Sequence, residues 1–505
     1  MFLLLLQGFG DIVLNIHNLI FLIGGVALGL IMGAIPGLTS TMAIALIIPL
    51  TFYITPVQSL VMLLGAYNGG IFGGSLSAIL LATPGTPASA ATAADGFKLA
   101  LQGKAGKAIK MAITSSIFGC LFSSIVLIII AEPIARYALK FGPGEYTVLM
   151  IFSLTIIASA AGKSVIKGLI GGILGLLFGM VGLDPIYSVP RFTFGIPYLG
   201  SGLSLVVMLI GSLAVSEIFR QIESVSMGRV SAHLPPPTCR EDDRLSFSEM
   251  KQSFKSMMRS ALIGCGIGSL PGLGPTLAAY IGYDMAKRNS KNPDLFGEGS
   301  LEGIAAAETA NNAVCGANLI PLLALGVPGD TVAAILIGAF MIQGLTPGPL
   351  IFREAPELVY SIYAGLILSN IVLFIIVMLT HKGFSRIARL ETTIIYPVVL
   401  MFCIVGVYAL NQSIFDIWIM MMFAIIGYIM VKFDFSPATM MIGFILSPIF
   451  ELNLRQALLI SNNQLSIFFS TPITWVFWLI TLYSVYNILN RKRKERQREK
   501  QQAIL

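Results

Sequence analysis

Hydrophobic positions in this chain run on continuously and do not alternate. Apolar stretches near the roughly 20 residues needed to cross hydrocarbon recur from end to end, among them Met111 to Ala131, Leu358 to Leu379 and Ser466 to Ile488. Lipid-facing strands would instead show short segments of period two. The pattern predicts an all-α polytopic membrane protein with about 10 to 12 transmembrane helices, some of them discontinuous or folded as hairpins.

The polar interruptions repeat. Gly33-Ala-Ile-Pro-Gly-Leu-Thr-Ser-Thr-Met-Ala43 and Gly268-Ser-Leu-Pro-Gly-Leu-Gly-Pro-Thr-Leu-Ala278 share six of eleven residues, and each is followed by a second break, Ala82-Thr-Pro-Gly-Thr86 and Gly326-Val-Pro-Gly-Asp330. Proline cannot donate a backbone hydrogen bond and glycine adopts conformations other residues avoid, so each Pro-Gly ends one helix and lets another begin. The pieces after the breaks, Gly85 to Gly96 and Pro275 to Ala286, reach about 18 Å, half a membrane. They fit full crossings and re-entrant hairpins equally.

Composition fixes the environment. The chain has 505 residues, 56% hydrophobic and only 11% charged, where a soluble domain carries about a quarter charged residues. Its formal charge of +7 is no nucleic-acid signal, because Arg491, Lys492, Arg493, Lys494, Arg496, Arg498 and Lys500 crowd into the tail. A basic tail after a last helix reads as a cytoplasmic anchor. The start, MFLLLLQGFGDIVLN, lacks a basic n-region and a small-residue cleavage pattern, so it is not expected to be removed. Cys120, Cys239, Cys265, Cys315 and Cys403 show neither disulfide nor zinc spacing.

Placing the tail inside assigns every connection by alternation. The inside segments become Lys98 to Lys110, Gly162 to Lys167, Arg220 to Arg259, Lys287 to Gly299, His381 to Glu391 and Lys432 to Ser436. All but Arg136, Lys140, Arg191, Arg353 and Arg455 of the 32 Lys and Arg residues then lie inside, as the positive-inside rule requires. On this assignment the first broken pair, Ile12 to Phe52, begins and ends outside, while the second, Met258 to Lys287, begins and ends inside. The halves are thus expected to be inverted-topology repeats: 1–219 the first membrane repeat, 220–257 a cytoplasmic linker, 258–490 the second repeat, and 491–505 the tail. Such repeats hold substrate near the bilayer midplane at their interface.

Candidate chemistry follows from the breaks. Unpaired backbone groups at membrane depth must line a cavity or be buried in protein, and free N–H groups at a helix start favour anions, carboxylates above all. The substrate-binding candidates are Pro36, Gly37, Thr39, Ser40 and Thr41; Pro84, Gly85 and Thr86; Pro271, Gly272 and Thr276; and Pro328, Gly329 and Thr331. Asn68, Asn311 and Asn312 join them from the aligned runs Tyr67 to Ser75 and Asn311 to Asn318, as substrate or cation ligands or else as interhelical glue. Acids in the bilayer interior mark function, which makes Glu308 and Asp330 the candidates for a coupling ion, Na⁺ or H⁺. Asp95, beside Lys98, reads as a solvated helix-end charge. No other metal and no cofactor is expected.

Other classes fit less well. His17, His233 and His381 all fall near the surfaces or in loops, so a serine nucleophile lacks a base, and Asp330 lacks the second acid of an aspartyl protease. No phosphate-binding GxxxxGK[ST] loop occurs. A channel or scaffold subunit is the alternative.

At the residues just quoted the sequence resembles the large membrane subunit of the tripartite tricarboxylate transporter family, TctA type. The GxxPGxxxTxA segment, the run YNGGIFGGSLSAILLATPGTPASAATAADG from Tyr67 to Gly96, and AAAETANNAVCGANLIPLLALGVPGD from Ala305 to Asp330 carry the likeness, which covers nearly the whole chain. The resemblance implies a multi-pass permease of the bacterial inner membrane that works with a small membrane subunit (TctB type) and a periplasmic substrate-binding protein (TctC type). It implies import of carboxylates such as citrate by symport with an ion. No nucleic acid partner is implied.

Overall fold

The computed structural model describes residues 2–35, 37–160, 164–224, 240–381, 383–384 and 392–486. Pro36, Cys239 and the basic tail therefore lie outside the described residues. Apart from one two-residue β-pairing, Gly182–Leu183 with Pro190–Arg191, the regular structure among them is helical. Among the described residues seven helices are long and apolar enough to cross a membrane, and shorter apolar helices come between them in the chain. The chain is an all-α polytopic membrane protein.

The order of elements repeats. In the first half, α1 (Phe2–Val13) precedes α2 (Ile16–Ala34), which ends at the first break; α3 (Ser40–Ile47) follows and tightens into a 3₁₀ turn over Ile48–Tyr53. Next come the long α4 (Pro56–Leu81), the second break, α5 (Ala90–Leu101), α6 (Ala105–Ala138), α7 (Pro143–Ala160), α8 (Val165–Gly179) and α9 (Leu205–Glu223). The second half runs α10 (Phe247–Gly268), break, α11 (Gly274–Asn289), α12 (Leu301–Ala317) with α13 (Leu319–Leu325), break, α14 (Thr331–Ile342), α15 (Pro356–Thr380), α16 (Thr392–Asn411), α17 (Ile414–Lys432) and α18 (Pro437–Ile460), then α19 (Pro472–Tyr486). Packing is reciprocal: α2 lies on α4 as α10 lies on α12, α6 on α12 as α15 on α4, and α8 on α18 as α17 on α9.

Glycines set the closest of these approaches. A Cβ added to Gly25, Gly29 or Gly33 of α2 would strike the backbone of Met62, Ala66 or Gly70 on α4, and Gly65, Gly69 and Gly73 meet α2 in return. Small residues at four-residue spacing let two backbones touch where lipid offers no hydrophobic drive. The result is an α4 buried along its whole apolar window, with the broken segments held against it.

Side-chain contacts sort the loops into two groups. Lys107–Glu249 (2.8 Å), Lys110–Asp243 (3.1 Å) and Lys98–Glu298 (3.6 Å) tie together segments 98–110, 243–249 and 298, while Lys432–Glu223 (3.2 Å) and Lys167 to the Phe433 carbonyl (2.6 Å) tie 167, 223 and 433. At the other ends of α4, α6, α15 and α18, Gln343 donates to the Thr51 carbonyl (2.6 Å), Tyr360 to Glu132 (3.5 Å), and Arg191 grips Glu451 (2.6 and 3.0 Å). The first group is the basic one.

Candidate substrate cavity

The breaks converge. A cavity of about 340 Å³ is lined by Thr39, Ser40 and Thr41 after the first break, Thr86 after the second, Gly272 to Thr276 after the third and Asp330 to Val332 after the fourth. A wider space shares Thr39, Thr41, Pro87 and Thr331 with it, and runs past Gly37, Pro84 and Gly85 to Glu217, Arg220 and Gln221 near the basic end of α9. Segments separated by nearly 300 positions in sequence thus share one chamber.

Helix starts face it. Thr39 caps α3 by accepting from the Met42 N–H (3.3 Å), and Asp330 caps α14 by accepting from Ala333 (2.8 Å). Pro87 and Pro275 occupy first-turn positions, where a missing N–H costs nothing. A fifth start was not among the sequence candidates: Ser436, Ala438 and Thr439, at the head of α18, line the same cavity. The signal was Ser436 followed by Pro437, an N-cap and N1 pair.

The two glycines that head the breaks have matching backbones, φ +89° at Gly37 and +86° at Gly272, the left-handed region that side chains resist. A Cβ at Gly37 would lie 2.5 Å from the Gln221 side-chain Cδ, and one at Gly272 2.5 Å from the Ile157 Cα. Gly272 also donates its N–H to the Gly329 carbonyl, pinning the third break to the fourth. Pro271 and Pro328 are buried behind the wall.

Other candidates lie away from the cavity lining. Asn68 on α4 donates to Ser369 on α15 (2.6 Å) and accepts from Cys120 on α6 (3.7 Å), so it joins three helices. Asn312 donates to Ser116 (2.9 Å) and to the Glu308 carbonyl (3.0 Å), and Asn311 is buried with neither amide atom hydrogen-bonded. The two acids part company. Asp330 is in the cavity wall, with Tyr67 donating to it at 3.5 Å, whereas Glu308 is wholly buried behind it among Ser75, Thr92, Ser116 and Asn312. Asp95 corrects the expectation of a solvated charge. It is fully buried and accepts from the N–H groups of Gly297 (2.7 Å), Gly299 (3.0 Å) and Ser300 (2.8 Å) and from the Tyr283 hydroxyl (2.8 Å).

Broken helices meeting head-on in a buried chamber inside a polytopic α-helical bundle define a membrane transport protein. The comparison with known sequences gives the family. Residues 19–442 match the Tripartite tricarboxylate transporter TctA family, and the chain belongs to it; it is a transporter subunit and not an enzyme. Similar chains include an "Uncharacterized 52.8 kDa protein in TAR-I ttuC' 3'region" of Agrobacterium vitis, 36% identical over 456 residues covering 90% of both chains. An "Uncharacterized protein in TAR-II ttuC' 3'region" of the same organism is 36% identical over 210 residues, 42% of this chain and 87% of that one.

Proposed function

We propose that this chain is the permease subunit of a secondary transporter that imports small di- or tricarboxylates across the bacterial inner membrane, driven by an ion gradient. Its partners are a small membrane subunit and a periplasmic binding protein that delivers the substrate. The observation that carries the reading is the meeting of five helix starts in one cavity whose lining, among the described residues, includes no Lys or Arg. At roughly 0.3 to 1 kcal/mol each, five termini supply about 1.5 to 5 kcal/mol toward an anion.

Asp330 explains why an ion must accompany the substrate. A substrate carboxylate about 4 Å from an ionised Asp330 is repelled by about 4 kcal/mol at an effective dielectric of 20. That offsets most of what the helix termini contribute. A cation or proton at Asp330 removes the penalty, so substrate and ion bind together. The halves are read as inverted repeats about this cavity, with the basic face cytoplasmic. The widening toward Arg220 is then an inward-facing opening.

The test is uptake by the complete three-part transporter in proteoliposomes. Carboxylate accumulates when a Na⁺ or pH gradient is imposed and stops accumulating when it is collapsed. Uptake indifferent to both gradients refutes the coupling.

A further inference from the structure

Glu308 is not needed to shape the cavity, yet it is linked to it. Thr86 lines the chamber; its Oγ1 lies 2.9 Å from the Ser89 Oγ, which lies 3.2 Å from the Ser75 Oγ, which donates to Glu308 Oε1 at 2.6 Å. Ser75, Ser89 and Glu308 are fully buried, and Thr86, itself buried at 6% exposure, is the member that lines the cavity. On the far side Thr92 donates to Oε1, and Ser116 (2.9 Å) and Asn312 (3.4 Å) to Oε2. We infer that Glu308 is a proton-binding site that exchanges with the substrate cavity through the hydroxyl wire Thr86–Ser89–Ser75.

The step balances without any other reactant. A hydronium in the cavity gives its proton to the Thr86 oxygen, Thr86 passes its own to Ser89, Ser89 to Ser75, and Ser75 to the Glu308 carboxylate. One hydronium and one carboxylate become one water and one carboxylic acid. The hydroxyls reset by turning about their C–O bonds.

Three observations favour a proton over a metal cation here. Oxygens around a cation of the size of Ca²⁺ or Na⁺ sit about 2.3 to 2.6 Å from it, which holds neighbouring ligands more than about 3 Å from one another. The Ser75, Thr92 and Ser116 oxygens instead touch the carboxylate directly. The wire also travels with the acid: superposing Pro328-Gly329 on Pro84-Gly85 sets Leu64 in the place of Glu308, and Leu319, Ala333 and Leu336 in the places of Ser75, Ser89 and Thr92. The corresponding site with the halves exchanged thus has neither the acid nor the hydroxyls.

The third observation is that, among the described residues, no other charge neutralises Glu308. On α5, Asp95 is held by the 297–300 loop and Tyr283, and Lys98 pairs with Glu298. On α6, Lys107 and Lys110 pair with Glu249 and Asp243. On its own helix Glu302 accepts from Ser256 and Ser290, and on α11 Arg288 pairs with Asp284. Lys251 and Lys255 on α10 and Lys287 and Tyr280 on α11 are exposed, and Arg259 is half-buried on α10. Tyr67 on α4 bonds Asp330, and the thiols nearby are Cys120, Cys265 and Cys315. None of these groups donates to Glu308. Protonation therefore changes its hydrogen bonding alone: a neutral acid must donate once, so one of its donors has to turn round. The hydroxyls among those donors, Ser75, Thr92 and Ser116, come from α4, α5 and α6 of the first half, and the change resets the contact between the halves.

The role in coupling rests on the transport reading; the wire itself does not. The test is infrared titration of the purified full-length chain in lipid, following the C=O band of a protonated carboxyl. The band grows as pH falls, is lost in Glu308→Gln, and shifts in Glu308→Asp, which serves if the glutamine variant does not fold. Its hydrogen–deuterium exchange slows about 10-fold or more in Ser89→Ala, the barrier left by one missing hydrogen-bonded step, and recovers in Ser89→Thr. Exchange unchanged in both Ser89→Ala and Ser75→Ala overturns the wire. Loss of the band on exchanging K⁺ for Na⁺ at fixed pH assigns the site to a cation and overturns the proton. Because no transport is required, this result and that of the uptake experiment are read separately.

Discussion

Gly272→Val sets the helix-start reading against the structure most directly. At φ +86° a side chain pays the left-handed penalty, of order 1 to 3 kcal/mol. Its Cβ would also stand 2.5 Å from the Ile157 Cα and 2.6 Å from its Cγ1, and overpacking of this kind costs roughly 1 to 3 kcal/mol more. The break then relaxes by about 2 to 6 kcal/mol of strain, chiefly by breaking the Gly272 N–H bond to the Gly329 carbonyl, which holds the α11 and α14 starts in register. Each backbone donor lost to a charged ligand costs about 1.5 to 3 kcal/mol, or about 10- to 150-fold in affinity. Calorimetric titration of the purified variant with a carboxylate panel should show at least that loss, and uptake should stop while the protein still reaches the membrane. Gly37→Val, Gly85→Val and Gly329→Val should behave alike, since their Cβ atoms would strike the Gln221 side chain, the Gly33 carbonyl and the Asn318 side chain. Binding at wild-type affinity in an expressed Gly272→Val protein would mean that the breaks are packing kinks.

Thr41→Val and Thr276→Val each remove one hydroxyl from the cavity and should weaken carboxylate binding by no more than about 10- to 150-fold; unchanged affinity in both would leave the hydroxyls without a role. Cys239, in the linker, should react with a membrane-impermeant thiol reagent only in inside-out vesicles or lysed cells, and labelling in intact spheroplasts would reverse the topology. At the opposite face, the N–H of Tyr187, the Arg455 guanidinium and the N–H of Ile186 hold the Asp184 carboxyl down at about 2. A folded value below the ordinary ~3.9 stabilises the fold above that pH, and this contribution is lost as pH falls toward 2. Thermal unfolding of Arg455→Ala should therefore differ from wild type at neutral pH and converge with it below about pH 2. A gap that persists in acid would show that Arg455 acts through packing against Tyr187.

What the sequence made legible is what is local. Pro-Gly pairs end helices by their own backbone chemistry, so the breaks at Gly37, Gly85, Gly272 and Gly329 could be read without neighbours. Three of the loops grouped by their charge also touch: Lys98 meets Glu298, Lys107 meets Glu249 and Lys110 meets Asp243. What was missed depends on partners far along the chain. Asp95 looked like a solvated charge beside Lys98, but its ligands are amides about 200 residues away. Ser436 and Thr439 carry an ordinary helix-start signal, and only tertiary packing brings that start to the cavity. The asparagines were chosen by alignment between halves, as ligands or else as interhelical glue, and at Asn68 the amide joins three helices.

The halves agree in backbone and differ in charge, and the difference falls where coupling needs it. Superposed on the second break, Thr86 corresponds to Asp330, Gly74 to Asn318 and Leu64 to Glu308: the acid in the cavity wall and the acid behind it both belong to the second half. A symmetric framework can close over an anion from either side, which alternating access demands. It cannot by itself tie that closure to an ion, because a ligand shifts a conformational equilibrium only by its differential affinity for the two states. On the proposed transport function the acids introduce that difference. Asp330 would then meet the substrate, while Glu308 accepts from hydroxyls of the first half, so that neutralising each acts on a different contact. One contact would be with the cargo and the other would join the moving units. On this reading Asp330→Asn should relieve the need for an ion in substrate binding, whereas Glu308→Gln should leave that need in place and uncouple the movement. Equilibrium binding measured with and without Na⁺ and across pH separates the two. Identical ion dependence in both variants would show that the acids do not divide the work.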